Sequence, residues 1–172
     1  MKITQIVLPA ILYLLPMELS AQLMYSSTTI EDLSFLLGTW EGELEYLNYH
    51  DLSVSDRIPV SWEFRRVKNK IVYVWNFTRP DGLPGRQKSH IEFKNGLLYF
   101  GDGYYELKEK RTSRSANNQE WVFYRRAKEG KEKLMIKQTL IQKDKTLILK
   151  KEIQPQGEFE FVPVTIYRME RK

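Results

Sequence analysis

His50-Asp51, with Asp56 close behind, is the first grouping in the sequence whose residue types could do acid–base or metal chemistry. A metal there needs at least one further ligand converging from elsewhere, and a catalytic pair needs a nucleophile and an oxyanion donor besides. Adjacent residues seldom face one another, so an exposed polar loop is the plainer expectation. His90 falls beside Lys88 and Glu92 on the wet side of its strand and reads as a surface histidine. Gly101-Asp102-Gly103 offers an acid between two glycines, but no helix follows to lend its N-terminus to a phosphate, and the triplet reads as a turn or bulge. Asn76-Phe77-Thr78 matches the glycosylation sequon inside a predicted strand. The chain has no cysteine, which excludes disulfides, thiolate sites and a lipid-modified N-terminal cysteine. No nucleophile elbow, metal-spaced histidine pair or Gly-rich nucleotide loop occurs.

Polar residues in phase with an apolar face are the sharper pattern. Arg66 continues the register of Val60, Trp62 and Phe64; Arg125 continues Trp121 and Phe123; Gln138 sits between Ile136 and Leu140. An arginine turned into an apolar interior needs an anionic partner, and its forked donors suit a ligand carboxylate. At a strand end the same arginine reaches solvent instead. Aromatic rings recur at strand spacing: Tyr73, Trp75 and Phe77 on one face, Tyr105 with Leu107, Trp121 with Phe123, Phe159 with Phe161. Rings so placed either fill a small barrel or wall a ligand cavity in a slightly larger one.

The elements that must hold these residues are strands with one dry face. From Thr39 to Asn48 the even positions Trp40, Gly42, Leu44 and Tyr46 are apolar or small, while Glu41, Glu43 and Glu45 fill the odd ones. Val60, Trp62 and Phe64 repeat the alternation, as do Ile91 and Phe93. Asn95-Gly96 is a strong hairpin signal, because a type I′ turn needs positive φ at both central residues. Glu129-Gly130, Lys143-Asp144 and Gln156-Gly157 punctuate later strands in the same way.

These breaks predict ten strands: 38–47, 57–67, 70–79, 87–94, 97–101, 103–110, 119–127, 133–142, 145–153 and 158–170. Before them, hydroxyls at Ser26 to Thr29 and apolar Ile30, Leu33, Phe35, Leu36 and Leu37 predict a short helix ending before Gly38. Short connections make this an antiparallel meander, and closing it removes exposed edges. The expected fold is therefore all-β, a closed antiparallel meander barrel with a short N-terminal helix. A two-sheet sandwich would show longer crossover connections.

A chain of 172 residues with 4 Trp, 10 Tyr and 8 Phe is long and apolar enough for one domain with a packed core. Its first residues read as an address. Lys2 precedes an uncharged stretch from Ile6 to Leu15 that is too short to span a bilayer, and small residues Ser20 and Ala21 follow. The expectation is a signal peptide over 1–21, a barrel domain over 22–172 and a periplasmic or extracellular location. Losing Lys2 and Glu18 would leave the net charge at +5. Outside the cytoplasm that balance suits solubility or contact with anionic lipid and polysaccharide of the envelope, and nucleic acid is not an expected partner.

Leu37-Gly38-Thr39-Trp40-Glu41-Gly42, just after the helix and at the start of the first strand, resembles the opening motif of the lipocalin-like, or calycin, barrels. It is most similar to the bacterial ten-stranded members, including the nitrobindin-like group. The resemblance implies that Gly38 turns the chain from helix into barrel. It also implies that Trp40 closes the floor beneath a basic side chain of the last strand, for which Arg168 is the expected partner. The Thr-Asp-x-x-Tyr run of lipocalins is missing. Nitrobindin-like haem proteins carry an iron-ligating histidine in their final strands, whereas no histidine follows His90 here. Haem is accordingly not expected, and no cofactor, metal or catalytic residue is assigned.

The leading expectation is an exported barrel that binds a small apolar or amphipathic molecule. Trp62, Tyr73, Trp75, Tyr105, Trp121 and Phe123 are its candidate wall, with Arg66 or Arg125 orienting an acidic group. The alternative is a filled barrel serving as a structural or partner-binding module at the cell envelope. A barrel enzyme using His50, Asp51 or Asp102 ranks last.

Overall fold

The computed structural model describes residues 28–48, 51–79, 81–112 and 118–172. The expected signal peptide and His50 lie outside the described residues. The chain opens with a 3-10 helix, Ile30–Leu36 (η1), in which Ile30, Leu33 and Leu36 are buried. A 3-10 helix has three residues per turn, so this spacing of three puts all of them on one stripe. Asp32 accepts a hydrogen bond from the Thr29 backbone N–H at 2.8 Å, which satisfies a donor at the helix start.

Ten antiparallel strands follow: Gly38–Leu47 (β1), Val54–Val67 (β2), Lys70–Thr78 (β3), Pro84–Lys94 (β4), Leu97–Phe100 (β5), Tyr104–Thr112 (β6), Asn118–Glu129 (β7), Glu132–Lys143 (β8), Thr146–Pro155 (β9) and Val162–Arg171 (β10). Each pairs with the next, and β1 pairs with β10, closing the barrel. The closed meander read from the sequence is therefore present. Asn95 and Gly96 both have positive φ, 52° and 77°, as the β4–β5 hairpin requires. At the closing seam Gly42 lets β1 and β10 approach, since a Cβ there would lie 1.9 Å from the Arg168 carbonyl oxygen.

The last strand starts well after the position the alternation suggests. β10 begins at Val162, and residues 158–161 belong to its approach, with the Glu158 N–H bonded to the Pro155 carbonyl. Phe159, expected among the core rings, is 96% exposed, because it sits in this turn and has no strand face to share. Phe161 packs edge-on against Tyr124, with Lys137 over its ring.

The meander places alternate connections at opposite ends. The β2–β3, β4–β5, β6–β7 and β8–β9 turns share one end with η1; the β1–β2, β3–β4, β5–β6, β7–β8 and β9–β10 connections share the other. The first end is sealed. Trp40 is fully buried and its indole N–H donates to the Leu36 carbonyl at 2.7 Å. Lys110 bonds Asp32 at 2.8 Å while lying over Trp121, and Phe35 packs on the same ring. A bulge between Leu107 and Glu109 makes that reach possible, since it shifts the register so that Lys110 pairs with inward-facing Trp121.

The cation over Trp40 is not Arg168 but Arg171, whose guanidinium carbon lies 4.5 Å from the ring centroid. Arg171 is the direct cross-strand partner of Trp40 and so shares its face. Arg168 stands three residues away, on the opposite face, where it pairs with Glu45 at 3.3 Å.

Candidate functional site

At the end opposite η1 the inward side chains do not fill the barrel. A cavity of about 310 Å3 remains there, within the lower range for small-molecule sites. Its apolar wall is aromatic but for Leu149 of β9: Trp62 from β2, Tyr73 and Trp75 from β3, Phe100 from β5 and Tyr167 from β10. Trp62 organises it, stacked on Tyr73 at 5.1 Å between centroids and met edge-on by Tyr167 at 5.1 Å. Trp75 lies 6.1 Å from Trp62 and 6.0 Å from Tyr167. Their alternation on paired strands explains the grouping, because Trp62 and Trp75 are direct cross-strand partners.

Polar groups complete the wall: Gln87 and Ser89 from β4, Gln138 from β8, Lys151 from β9, Thr165 from β10, and Asp102 from the β5–β6 turn. Among the described residues, Trp62 Nε1, Trp75 Nε1 and Gln138 Oε1 are buried without a hydrogen-bond partner. Burying a polar atom unpaired costs about 1–3 kcal/mol, so native proteins retain such atoms sparingly. Here two donors and one acceptor of this kind belong to the wall of one cavity. The phenols beside them stay protonated, since burial pushes the hydroxyls of Tyr73 and Tyr167 up from the usual tyrosine range.

Charge gathers at the mouth. Asp102 Oδ2 accepts from Arg125 Nη2 at 2.8 Å and lies 3.7 Å from Lys151 Nζ. The Asp102 carbonyl accepts from Arg125 Nη1 at 2.9 Å, and its Oδ1 accepts from the Tyr105 hydroxyl at 2.7 Å. Burial and then the Asp102 carboxylate push the Tyr105 hydroxyl well up, keeping it a donor.

The sequence candidates divide by position. Trp62, Tyr73, Trp75 and Gln138 come together at the cavity. Tyr105 and Arg125 support it from behind the Asp102 turn. Phe123 and Trp121 are packed in the core, Trp121 against the helix end. Arg66, expected to orient an acidic group, does not line the cavity: it sits at the sealed end, bonded to Glu31 and, at 2.5 Å, to the Lys68 carbonyl, because β2 carries its register out of the barrel at that end. Asp51 accepts from the N–H and hydroxyl of Ser53, as a turn residue does. His90 stacks on Tyr99 at 4.7 Å between centroids. Among the described residues no group of three or more metal-ligating side chains forms.

Lys151, Thr165 and Tyr167 escaped the sequence reading, although one signal could have found the first. Lys151 continues the inward register of Leu147 and Leu149, by the same logic that singled out Arg125 and Gln138. Thr165 and Tyr167 lead into Met169 in like fashion.

No family model and no curated protein matches the sequence. Among solved structures, the chain is similar to the S-type phycobiliprotein lyase CPES from Guillardia theta, with a TM-score of 0.53 and 8% identity over 87% of this chain and 96% of that one. It is also similar to Rv2717c from M. tuberculosis, with a TM-score of 0.48 and 12% identity over 83% of this chain and 96% of that one. The likeness to the lyase is one of fold, a closed antiparallel barrel of ten strands.

Proposed function

We propose that this protein is a carrier that sequesters a small amphipathic molecule, bearing one acidic group, in the unfilled end of its barrel. The observation that carries this reading is the unfilled cavity itself, walled by the rings of Trp62, Tyr73, Trp75, Phe100 and Tyr167 with Lys151 in its lining. The rings supply apolar contact, and Lys151 meets the acidic group. A ligand that buries roughly 300 Å2 of apolar surface gains about 7 kcal/mol before the costs of lost freedom and ordering are met. The leader-like residues 1–21 support an exported site of action, and the mass of the mature protein tests it.

The binding test is fluorescence titration with 8-anilino-1-naphthalenesulfonate and its uncharged relative N-phenyl-1-naphthylamine. Both are expected to bind with one-to-one stoichiometry, the sulfonate more tightly, and Trp75→Ala should weaken both. A protein that enhances neither fluorophore would overturn the carrier reading.

A further inference from the structure

We propose that Asp102 is an internal competitor for the ligand's acidic group, and that it restricts the cavity to monoanions. This rests on the carrier reading above. Three groups meet at the mouth: Arg125, Lys151 and, between them, the Asp102 carboxylate. Arg125 commits both terminal nitrogens to Asp102, holding its carbonyl and its Oδ2 at once while lying 5.0 Å over the Tyr105 ring, and its remaining Nε is buried. Lys151 is different. It projects from the inward face of β9 into the cavity, and its 3.7 Å separation from Asp102 is an ion pair too long for a hydrogen bond. An incoming anion therefore draws on Lys151 and leaves Arg125 in place.

The glycines on either side hold the carboxylate there. Gly101 has φ of +65°, and a Cβ on it would lie 2.5 Å from the Tyr73 hydroxyl. At Gly103 a Cβ would lie 2.4 Å from Arg125 Nη1. The turn is thus pressed against both the cavity wall and the arginine, and the Tyr99 hydroxyl adds a bond of 2.9 Å to the Gly101 carbonyl. Two cations and one anion leave one uncompensated positive charge at the mouth. A single negative charge balances it; a second would stand beside Asp102 with no partner, where two like charges in close contact repel. Asp102 so converts a general anion site into one that counts charge.

The test displaces N-phenyl-1-naphthylamine with 1-decanesulfonate, a monoanion, and with decyl phosphate, at about pH 8 where a phosphate monoester carries close to two charges. The wild-type protein is expected to prefer the sulfonate by about tenfold, and Asp102→Asn to shrink that preference to about threefold or less by admitting the phosphate. Asp102→Glu keeps the charge and should keep the preference. An unchanged ratio in Asp102→Asn overturns the proposal, as does a loss of preference shared by the Asn and Glu variants, which would trace the effect to the shape of the turn. Should Asp102→Asn fail to fold, Lys151→Gln decides: sulfonate binding weakened several-fold more than binding of the uncharged fluorophore supports the charge count, and equal losses or none overturn it. Failure of the carrier reading is distinct, because then the wild-type protein holds no fluorophore to displace.

Discussion

Arg171 lies over the face of Trp40 at 4.5 Å while its guanidinium donates to the Phe35 carbonyl and, at 3.2 Å, to the Leu37 carbonyl. One side chain of the last strand thereby satisfies carbonyls at the end of η1 and covers the ring that closes the floor. Replacing it removes a cation–π contact and two charge-assisted bonds. Arg171→Ala is expected to cost about 2 kcal/mol, and Arg168→Ala, which leaves the buried Glu45 carboxylate its second partner Arg57, under about 1 kcal/mol. Urea unfolding midpoints of the two variants give the comparison; equal losses would refute the assignment of Arg171 as the floor cation.

Gly42 marks the tightest point of the closing seam. Because a Cβ would fall 1.9 Å from the Arg168 carbonyl oxygen, Gly42→Ala must push β10 away from β1. The expected loss is about 1–3 kcal/mol, the usual range for overpacking, read as a lowered thermal midpoint. An alanine variant as stable as the wild type would show that the seam has slack.

Two tryptophans in similar strand patterns should behave oppositely. Trp121 is fully buried beneath η1, so Trp121→Ala is expected to cost about 3–5 kcal/mol. Trp75 is half-buried on the cavity wall, so Trp75→Ala should cost less stability and far more N-phenyl-1-naphthylamine affinity. Equal losses of stability and binding at Trp75 would mark it as ordinary core.

The helix latch carries a pH signature. Burial raises the Asp32 pKa, but the bonds from Lys110 and the Thr29 backbone N–H outweigh it and hold the carboxyl below its ordinary value of 3.8. A folded-state value below the unfolded one means that ionised Asp32 stabilises the fold above about pH 4, and that this contribution is lost as pH falls through the depressed value. Asp32→Asn should therefore be less stable than the wild type by about 1 kcal/mol at neutral pH, the usual worth of a helix cap. The gap should close as the medium is acidified below pH 3.8. A gap independent of pH would assign the loss to something other than the charge.

Much of this protein was legible in advance because its strands bury one face. Trp40, Gly42 and Leu44 alternate with Glu41, Glu43 and Glu45, and such a run has only one way to face a core. The same alternation placed Trp62, Tyr73, Trp75 and Gln138 inward. It misled at Phe159, where the spacing of Phe159 and Phe161 imitates a strand that the chain does not form.

Local pattern thus determined the strand number, the antiparallel order, the dry faces and the helix that precedes them, since each depends on neighbours a few residues apart. Closure and stagger decided the rest. Which end of the barrel an inward residue reaches depends on how far its strand runs past its partners, and that is why Arg66 meets Glu31 at the floor while Arg125 and Lys151 meet Asp102 at the mouth. The bulge at Leu107–Glu109 and the register between Trp40 and Arg171 are likewise properties of paired strands. A cavity is the space that side chains from five or more strands leave between them, and only their assembly in three dimensions decides whether that space is filled.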